Sequence, residues 1–457
     1  MSNTDGINLQ GVKVALISQG CDKNRVDSEV MLGLLVGTGC VIVGDITHAD
    51  AIIINTCGFL QDAVGEARDA IDQAIEQKQS GCCCAIVVTG CAAQRYKGEI
   101  FADFPEIDAV LGVNEYQRLA DVLQDILSDA GSTRYVDFTE TDAGALNDAD
   151  RHGRVLSTPR HYAYLKIAEG CDKKCTYCTI PQIRGPFKSR EMDSLVQEAT
   201  ILADKGVKEL ILVAQDTTLY GTDIYGKQAL HELLAALSQI PNIYWLRLLY
   251  CYPENIYSEL VTEIISNDKV LPYIDMPIQH ASDKILRLMG RKSSNQHLRE
   301  IIADLRAKIP GVTLRTTLIA GFPGEDKADF KALYNFVEDI KFDRLGVFVY
   351  SCEEGTPAAK LPGHLPEKTK HAGKNRLMAL QQTISCENLA KKIGQEMDVL
   401  VEGFDNASGL YFGRCMADAP EIDGLVYIDS NSPLAISEFA RAKITKSMEY
   451  DLLGVSL

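Results

Sequence analysis

The chain has 457 residues, 46% of them apolar, and a formal net charge of −17. That length allows two to four domains, and the acidity disfavours non-specific nucleic-acid binding while suiting a basic protein partner. No run of ~18 or more apolar residues occurs and the N-terminus has no basic stretch leading into an apolar one, so neither a membrane span nor a secretory signal is expected. Fourteen cysteines in such a chain read as free thiols in a reducing cytoplasm, suited to metal binding or chemistry rather than disulfides.

From about residue 12 the pattern alternates strand and helix. Val12–Ser18, Cys40–Val43, Ala51–Asn55, Ala85–Thr89 and Ala109–Val113 are strand-length apolar runs, with helical stretches at Asp27–Val36 and Leu60–Gln79. Such alternation predicts a doubly wound parallel sheet covered by helices, here over residues 11–128. Residues 129–156 are polar and irregular and read as a linker. A second alternating region, 157–388, has strand candidates at Ala163–Ile167, Glu209–Val213, Trp245–Leu249, Tyr273–Met276, Thr313–Leu318 and Arg344–Val349. About six units predict a partial (β/α) barrel with its chemistry at the carboxyl ends of the strands. Lys368–Leu389 is helix-like and basic. From 390 to 457 short strands (Glu396–Val401, Gly409–Phe412, Leu425–Ile428, Phe439–Ile444) predict a small all-β module.

Two cysteine sets stand out. Cys171, Cys175 and Cys178 follow a strand with the spacing Cys-x3-Cys-x2-Cys and no fourth ligand nearby. Three thiolates can hold three corners of a cubane iron–sulfur cluster and leave the fourth iron open to a small molecule. A zinc knuckle or three buried thiols are the plainer alternatives, but zinc calls for four ligands, and His161, ahead of the strand, is a poor fourth. Cys21, Cys57 and Cys91 are dispersed, each just past a strand of the first region (Ser18-Gln-Gly-Cys21, Asn55-Thr-Cys57, Thr89-Gly-Cys91). The carboxyl ends of neighbouring parallel strands share one edge, so these three can converge, with Gly20 and Gly90 permitting the tight turns. Three small buried residues at strand ends would look the same. Cys82, Cys83 and Cys84 open a strand and read as packing or edge residues. Cys40, Cys251, Cys352, Cys386 and Cys415 lack a partner pattern and read as structural.

With Tyr-Cys-Thr-Ile-Pro181 and Arg184-Gly185, the compact set resembles the radical S-adenosylmethionine superfamily. Joined to the dispersed set, it resembles the methylthiotransferase branch over nearly the whole chain: an N-terminal methylthiotransferase domain, a radical core and a C-terminal TRAM module. Within the branch, Leu16–Ser28 (Leu-Ile-Ser-Gln-Gly-Cys-Asp-Lys-Asn-Arg-Val-Asp-Ser), Gln215–Gly221, Tyr273–His280 and Arg315–Asp326 are similar to the RimO-type, ribosomal-protein subgroup rather than the MiaB- and MtaB-like tRNA enzymes. Gln19 departs from an expected apolar residue. From Lys391 to Leu457 six basic residues face eleven acidic ones, whereas a module gripping tRNA should be basic.

The resemblance implies two 4Fe–4S clusters, one on Cys21, Cys57 and Cys91 and one on Cys171, Cys175 and Cys178. The second would bind S-adenosylmethionine and split it into a radical that attacks an unactivated C–H bond. The first would present sulfur to the substrate, and a second S-adenosylmethionine would methylate it. The implied target is the β-carbon of one aspartate in the twelfth protein of the small ribosomal subunit, with a flavodoxin or ferredoxin as electron donor; a tRNA adenosine is the alternative substrate. Tyr177 is a candidate to flank adenine, Gln215 and Asp216 to meet the methionine moiety, and Gly321, Gly324 and Glu325 to lie against the nucleoside. Packing at tight turns would equally account for the glycines.

Overall fold

Parallel strands follow from the β-branched runs. In a computed structural model, which describes residues 9–81, 83–128, 135–137 and 153–457, the chain divides into two compact units. One comprises Met1–Ser157, Lys166–Lys173 and Cys178–Glu198, and the second comprises Thr158–Leu165, Lys174–Tyr177 and Ala199–Leu457. Among the described residues no helix is long and apolar enough to cross a membrane.

The first unit is built on β1 (Lys13–Ser18), β2 (Val41–Ile42), β3 (Ala51–Thr56), β4 (Ala85–Gly90), β5 (Ala109–Leu111) and β6 (Tyr135–Asp137). They form one sheet in the order β2-β1-β3-β4-β5-β6, with all neighbouring strands parallel. Every residue of β3 and β4 is buried, as expected when helices cover both faces. Ala70, Ile71, Ala74 and Ile75 of the helix Gln61–Ser80 pack on Ile52, Ile54, Ile86 and Val88. The order reverses direction between β1 and β3. Such a switch point opens a crevice at the carboxyl ends of the strands, where ligands of doubly wound folds bind.

The linker expected over 129–156 lies outside the described residues for 129–134 and 138–152. Its described parts are not loose: β6 pairs with β5, and buried Arg154 bonds Glu29 and Glu198. Tying a guanidinium between two carboxylates away from water needs a fixed backbone, so the polar composition of this end marks a buried ion pair rather than a spacer.

The next strands are β7 (Tyr162–Lys166), the short pair β8 (Ala168–Glu169) and β9 (Lys188–Ser189), then β10 (Glu209–Val213), β11 (Trp245–Leu248), β12 (Val270–Asp275), β13 (Thr313–Ala320) and β14 (Arg344–Val349). Six of them form the expected open barrel sheet, β14-β13-β12-β11-β10-β7. The basic, helix-like stretch forms the helix Glu367–Ala390. The chain ends in a closed five-stranded barrel of β15 (Glu396–Asp405), β16 (Leu410–Arg414), β17 (Val426–Asp429), β18 (Phe439–Ser447) and β19 (Leu452–Ser456). β19 has no counterpart among the strands expected from sequence. Its glycine-bearing run Leu-Leu-Gly-Val-Ser is short, and only its pairing with β17 and β18 closes the barrel.

Within the second unit the barrel sheet and the C-terminal barrel share a buried charge network. Glu209 accepts from Arg247 Nε at 2.6 Å and from Arg414 Nη2 at 2.7 Å. Arg414 Nε also donates to Glu402 at 2.6 Å, Arg247 Nη1 to the Met416 carbonyl at 2.9 Å, and Tyr273 Oη to Asp423 at 2.5 Å. Arg344 pairs with Asp418.

Candidate iron–sulfur centres

Cys21, Cys57 and Cys91 lie directly after β1, β3 and β4, three adjacent strands, so the sheet itself delivers them to one edge. Cys21 and Cys57 flank the switch point. Buried side chains brace the loops that carry them. Asn55 Nδ2 donates to the Asn24 carbonyl (2.9 Å) and to Ser28 Oγ (2.8 Å), Asn24 Nδ2 donates to the Gln19 carbonyl (2.7 Å), and Thr56 Oγ1 donates to the Thr89 carbonyl (2.6 Å). Gln19, the departure from the expected apolar residue, anchors the loop differently: its side-chain nitrogen donates to the Glu66 carbonyl at 2.9 Å.

Two glycines make room. A Cβ on Gly20 would stand 3.0 Å from Cys57 Sγ, and one on Gly90 would stand 2.3 Å from Asn55 Oδ1; both have positive φ, +86° and +90°. Cys21 is exposed, Cys57 half-buried and Cys91 buried. Burial raises the Cys57 thiol, against a lowering hydrogen bond from the Phe59 amide. Burial pushes Cys91 up to about 11, opposed by Arg184, and Cys91 also feels the charges of Cys21 and Cys57.

The compact set lies in a hairpin closed by β8 and β9, with Ala168 opposite Ser189. Cys171 N donates to the Gly185 carbonyl at 3.0 Å. Gly170 (φ +76°) has the Pro186 carbonyl oxygen 2.0 Å from where its Cβ would be, so only glycine lets the hairpin close. In the second unit Cys175 Sγ shares a hydrogen bond of 3.3 Å with Tyr252 Oη. The Arg291 guanidinium stacks 3.8 Å above the Tyr252 ring. Burial raises the Tyr252 hydroxyl strongly, against Arg291, so it stays protonated and can donate to a Cys175 thiolate. Gly290 lets the chain pass the Lys174 carbonyl, 2.6 Å from where its Cβ would be.

Among the described residues no three His, Cys, Asp or Glu side chains gather tightly enough for a single metal ion. A cubane makes a different demand. Each thiolate binds its own corner iron, so the sulfurs stand apart and three suffice. The donor chemistry therefore fits a cluster better than zinc. His161 is no ligand: Glu402 and Ser437 engage its two ring nitrogens.

The remaining candidates separate by their surroundings. Tyr177 packs edge-on against Phe322, centroids 6.4 Å apart, in an aromatic cluster with Tyr350. Gln215 is half-buried just past β10. Asp216 is fully buried and engaged: Oδ1 accepts from the Thr218 amide (3.1 Å) and Oδ2 from Asn255 (2.8 Å), so it shapes the loop. Gly321 has the Lys370 side chain 2.4 Å from its Cβ position, and Gly324 has Leu288 at 3.3 Å; packing accounts for both. Glu325 Oε2 accepts from the Gly321 amide (2.9 Å) and lies 3.4 Å from His280 Nε2. Cys83 is buried, its thiol directed at the Ala85 carbonyl, and Cys84 is exposed, in keeping with packing and edge roles; Cys82 lies outside the described residues.

Sequence reasoning had Arg184 only as part of a motif. The structure buries it completely and places its Nε and Nη2 both 3.3 Å from Cys91 Sγ.

Three family models match in the order the fold suggests: the uncharacterized protein family UPF0004 over residues 13–112, the Radical SAM superfamily over 165–337 and the TRAM domain over 393–456. The ribosomal protein uS12 methylthiotransferase RimO of Acetivibrio thermocellus is 48% identical over 443 residues, covering 97% of this chain and 98% of that one. The protein of the same name from Clostridium kluyveri is 49% identical over 451 residues, covering 98% of each. The chain belongs to the RimO family of ribosomal protein uS12 methylthiotransferases. Among solved structures, the radical S-adenosylmethionine methyltransferase TsrM from Kitasatospora setae, with cobalamin and a [4Fe-4S] cluster bound, aligns with a TM-score of 0.57. It is 13% identical, covering 81% of this chain and 89% of that one. At that identity the likeness concerns the fold. RimO family members thus share with this chain all three parts of the architecture, at nearly full length.

Proposed function

We propose that this chain is a radical S-adenosylmethionine methylthiotransferase that adds a methylthio group to the β-carbon of one aspartate of ribosomal protein uS12. The observation that carries this reading is identity of nearly half, over almost the whole length, to relatives named for that activity. The two cysteine sets supply what the chemistry requires. Cys171, Cys175 and Cys178 would hold one 4Fe–4S cluster, the one that binds S-adenosylmethionine, and Cys21, Cys57 and Cys91 would hold the other. When bound, these groups supply one-electron chemistry able to open an unactivated C–H bond, together with sulfur and a methyl group.

The protein's own residues orient and insulate. The Tyr252 hydroxyl shares a hydrogen bond with Cys175 Sγ, and the Arg184 guanidinium donates to Cys91 Sγ. Such outer contacts fix ligand orientation and tune a metal site. Tyr177, Phe322 and Tyr350 form an apolar wall that limits water. Electrons come from a flavodoxin or ferredoxin, and the site of action is the cytoplasm.

The substrate is a basic protein rather than tRNA. Acidic residues still outnumber basic ones in the C-terminal barrel after Arg414 and Asp418 are set aside as buried. Phosphate neutralisation would need the reverse. The test is an anaerobic assay of reduced enzyme with S-adenosylmethionine and either purified uS12 or tRNA. Methylthio-aspartate in uS12 supports the proposal, and modification of tRNA alone overturns the substrate.

A further inference from the structure

The structure commits an entire buried guanidinium, that of Arg184, to the neighbourhood of Cys91. Nε and Nη2 both donate to Cys91 Sγ at 3.3 Å. Nη1 donates to Asp27 Oδ2 (2.7 Å) and Glu169 Oε2 (2.9 Å), and Nη2 also reaches Asn24 Oδ1 (2.9 Å). Lys166, itself buried, bonds the same two carboxylates. Asp27 and Glu169 are therefore balanced by Lys166 and Arg184, and the sulfur faces the guanidinium edge as the remaining acceptor. Ile183, the preceding residue, packs with Cys91 and Val113 and holds the segment in place.

We infer that Arg184 is a positioning residue that raises the reduction potential of the cluster held by Cys21, Cys57 and Cys91 through paired hydrogen bonds to the Cys91 thiolate. This rests on the reading that Cys91 is a ligand. Adding an electron to a thiolate-bound cluster increases its negative charge, and a fixed cation with two N–H groups on a ligand sulfur stabilises that reduced form. Hydrogen bonds to the sulfurs are among the levers that set such potentials. Arg184 and Cys91 are both buried, so solvent screens this contact far less than a surface one. Arg184 also belongs to the hairpin that carries the other cluster's cysteines: the carbonyl of the next residue, Gly185, accepts from the Cys171 amide. One dipeptide thus touches a cysteine of each set, through a side chain in one case and the backbone in the other. Only the side-chain contact reaches a sulfur, so a substitution at Arg184 should act on one cluster selectively.

The experiment isolates each cluster in the full chain. With Cys171, Cys175 and Cys178 replaced by Ala, only the N-terminal cluster remains; with Cys21, Cys57 and Cys91 replaced, only the other does. Midpoint potentials follow from paramagnetic-resonance titration, alongside iron and sulfide content. In the first background Arg184→Gln should move the midpoint to more negative potential, and Arg184→Lys, which keeps charge but loses the fork, should move it less. In the second background neither should move it. An unchanged midpoint in the first background, or equal shifts in both, overturns the inference. Failure of the first background to load any cluster while Arg184 is intact refutes the ligand reading, and the inference falls with it. If the Arg184 variants do not fold, unaltered protein grown with heavy-nitrogen arginine decides. A nitrogen coupling to the reduced N-terminal cluster is expected, and its absence contradicts the contact.

Discussion

Arg184 and Cys91 are 93 residues apart in sequence, and the guanidinium meets the thiol through two nitrogens at 3.3 Å. The contact joins the segment after one cysteine set to the last cysteine of the other. It is a specific addition to a division of labour that the two sets already suggest: one splits S-adenosylmethionine and one handles sulfur.

That division has a direct consequence for Cys57, which follows β3 and takes no part in the hairpin around Cys171. Cys57→Ala should halve the iron content, spare cleavage of S-adenosylmethionine and abolish methylthio product. Iron assay and chromatography of released 5′-deoxyadenosine measure this. Loss of cleavage in a folded variant that keeps the other cluster would break the division.

Cys175 carries the opposite expectation. Its replacement by Ala removes one of three ligands and leaves the Tyr252 hydroxyl without its sulfur partner. Cleavage should fall below detection while the Cys57-side cluster stays loaded. Cleavage at the normal rate would exclude Cys175 as a ligand.

Gly170→Ala should prevent closure of the hairpin, because the Pro186 carbonyl oxygen lies 2.0 Å from the added carbon and φ is +76°. Backbone strain alone costs about 1–3 kcal/mol, and the clash adds to it. Reconstitution should yield only the N-terminal cluster. Full loading of both clusters would mean that the hairpin relaxes without loss.

The charge network of the second unit predicts a stability cost for Arg414→Ala. Glu209 and Glu402 would each lose a buried partner. Breaking such a pair costs about 3–5 kcal/mol, against at most ~1 kcal/mol for a surface pair. Chemical denaturation followed by circular dichroism measures the difference, and a loss of surface-pair size would contradict the buried reading.

The same network predicts a dependence on acid. Burial alone would raise the Glu209 carboxyl, but Arg414 and Arg247 outweigh it and hold it below its ordinary 4.5. A carboxylate lowered in the folded state contributes stability that is complete above the unfolded value and lost as pH falls toward the folded one. The stability advantage of the native chain over Glu209→Gln should therefore be constant near neutrality and shrink below about pH 4.5. Denaturation at a series of pH values tests this, and a difference that grows on acidification would reverse the sign.

Much of the fold was legible because its signals are local. The β-branched runs became β1, β3, β4 and β5, and because parallel strands end on one edge the cysteines that follow three of them lie along that edge of the sheet. The triplet at Cys171 stands out by its spacing, as a proposed ligand set. What escaped depends on partners distant in sequence. Arg154 looked like linker, because Glu29 and Glu198 lie 125 and 44 residues away. Asp216 follows a barrel strand, and only Asn255, 39 residues on, reveals that its carboxylate braces the loop. β19 is too short and glycine-bearing to announce itself without the strands it pairs with. Arg184 carries no periodic or spacing signal at all.

The most direct measurement is the mass of ribosomal protein uS12 isolated from cells with and without the gene for this chain. The account predicts a methylthio gain on a single aspartate that disappears with the gene and returns with the intact gene but not with Cys175→Ala. An unmodified uS12 in cells that make the active, cluster-loaded protein would contradict it.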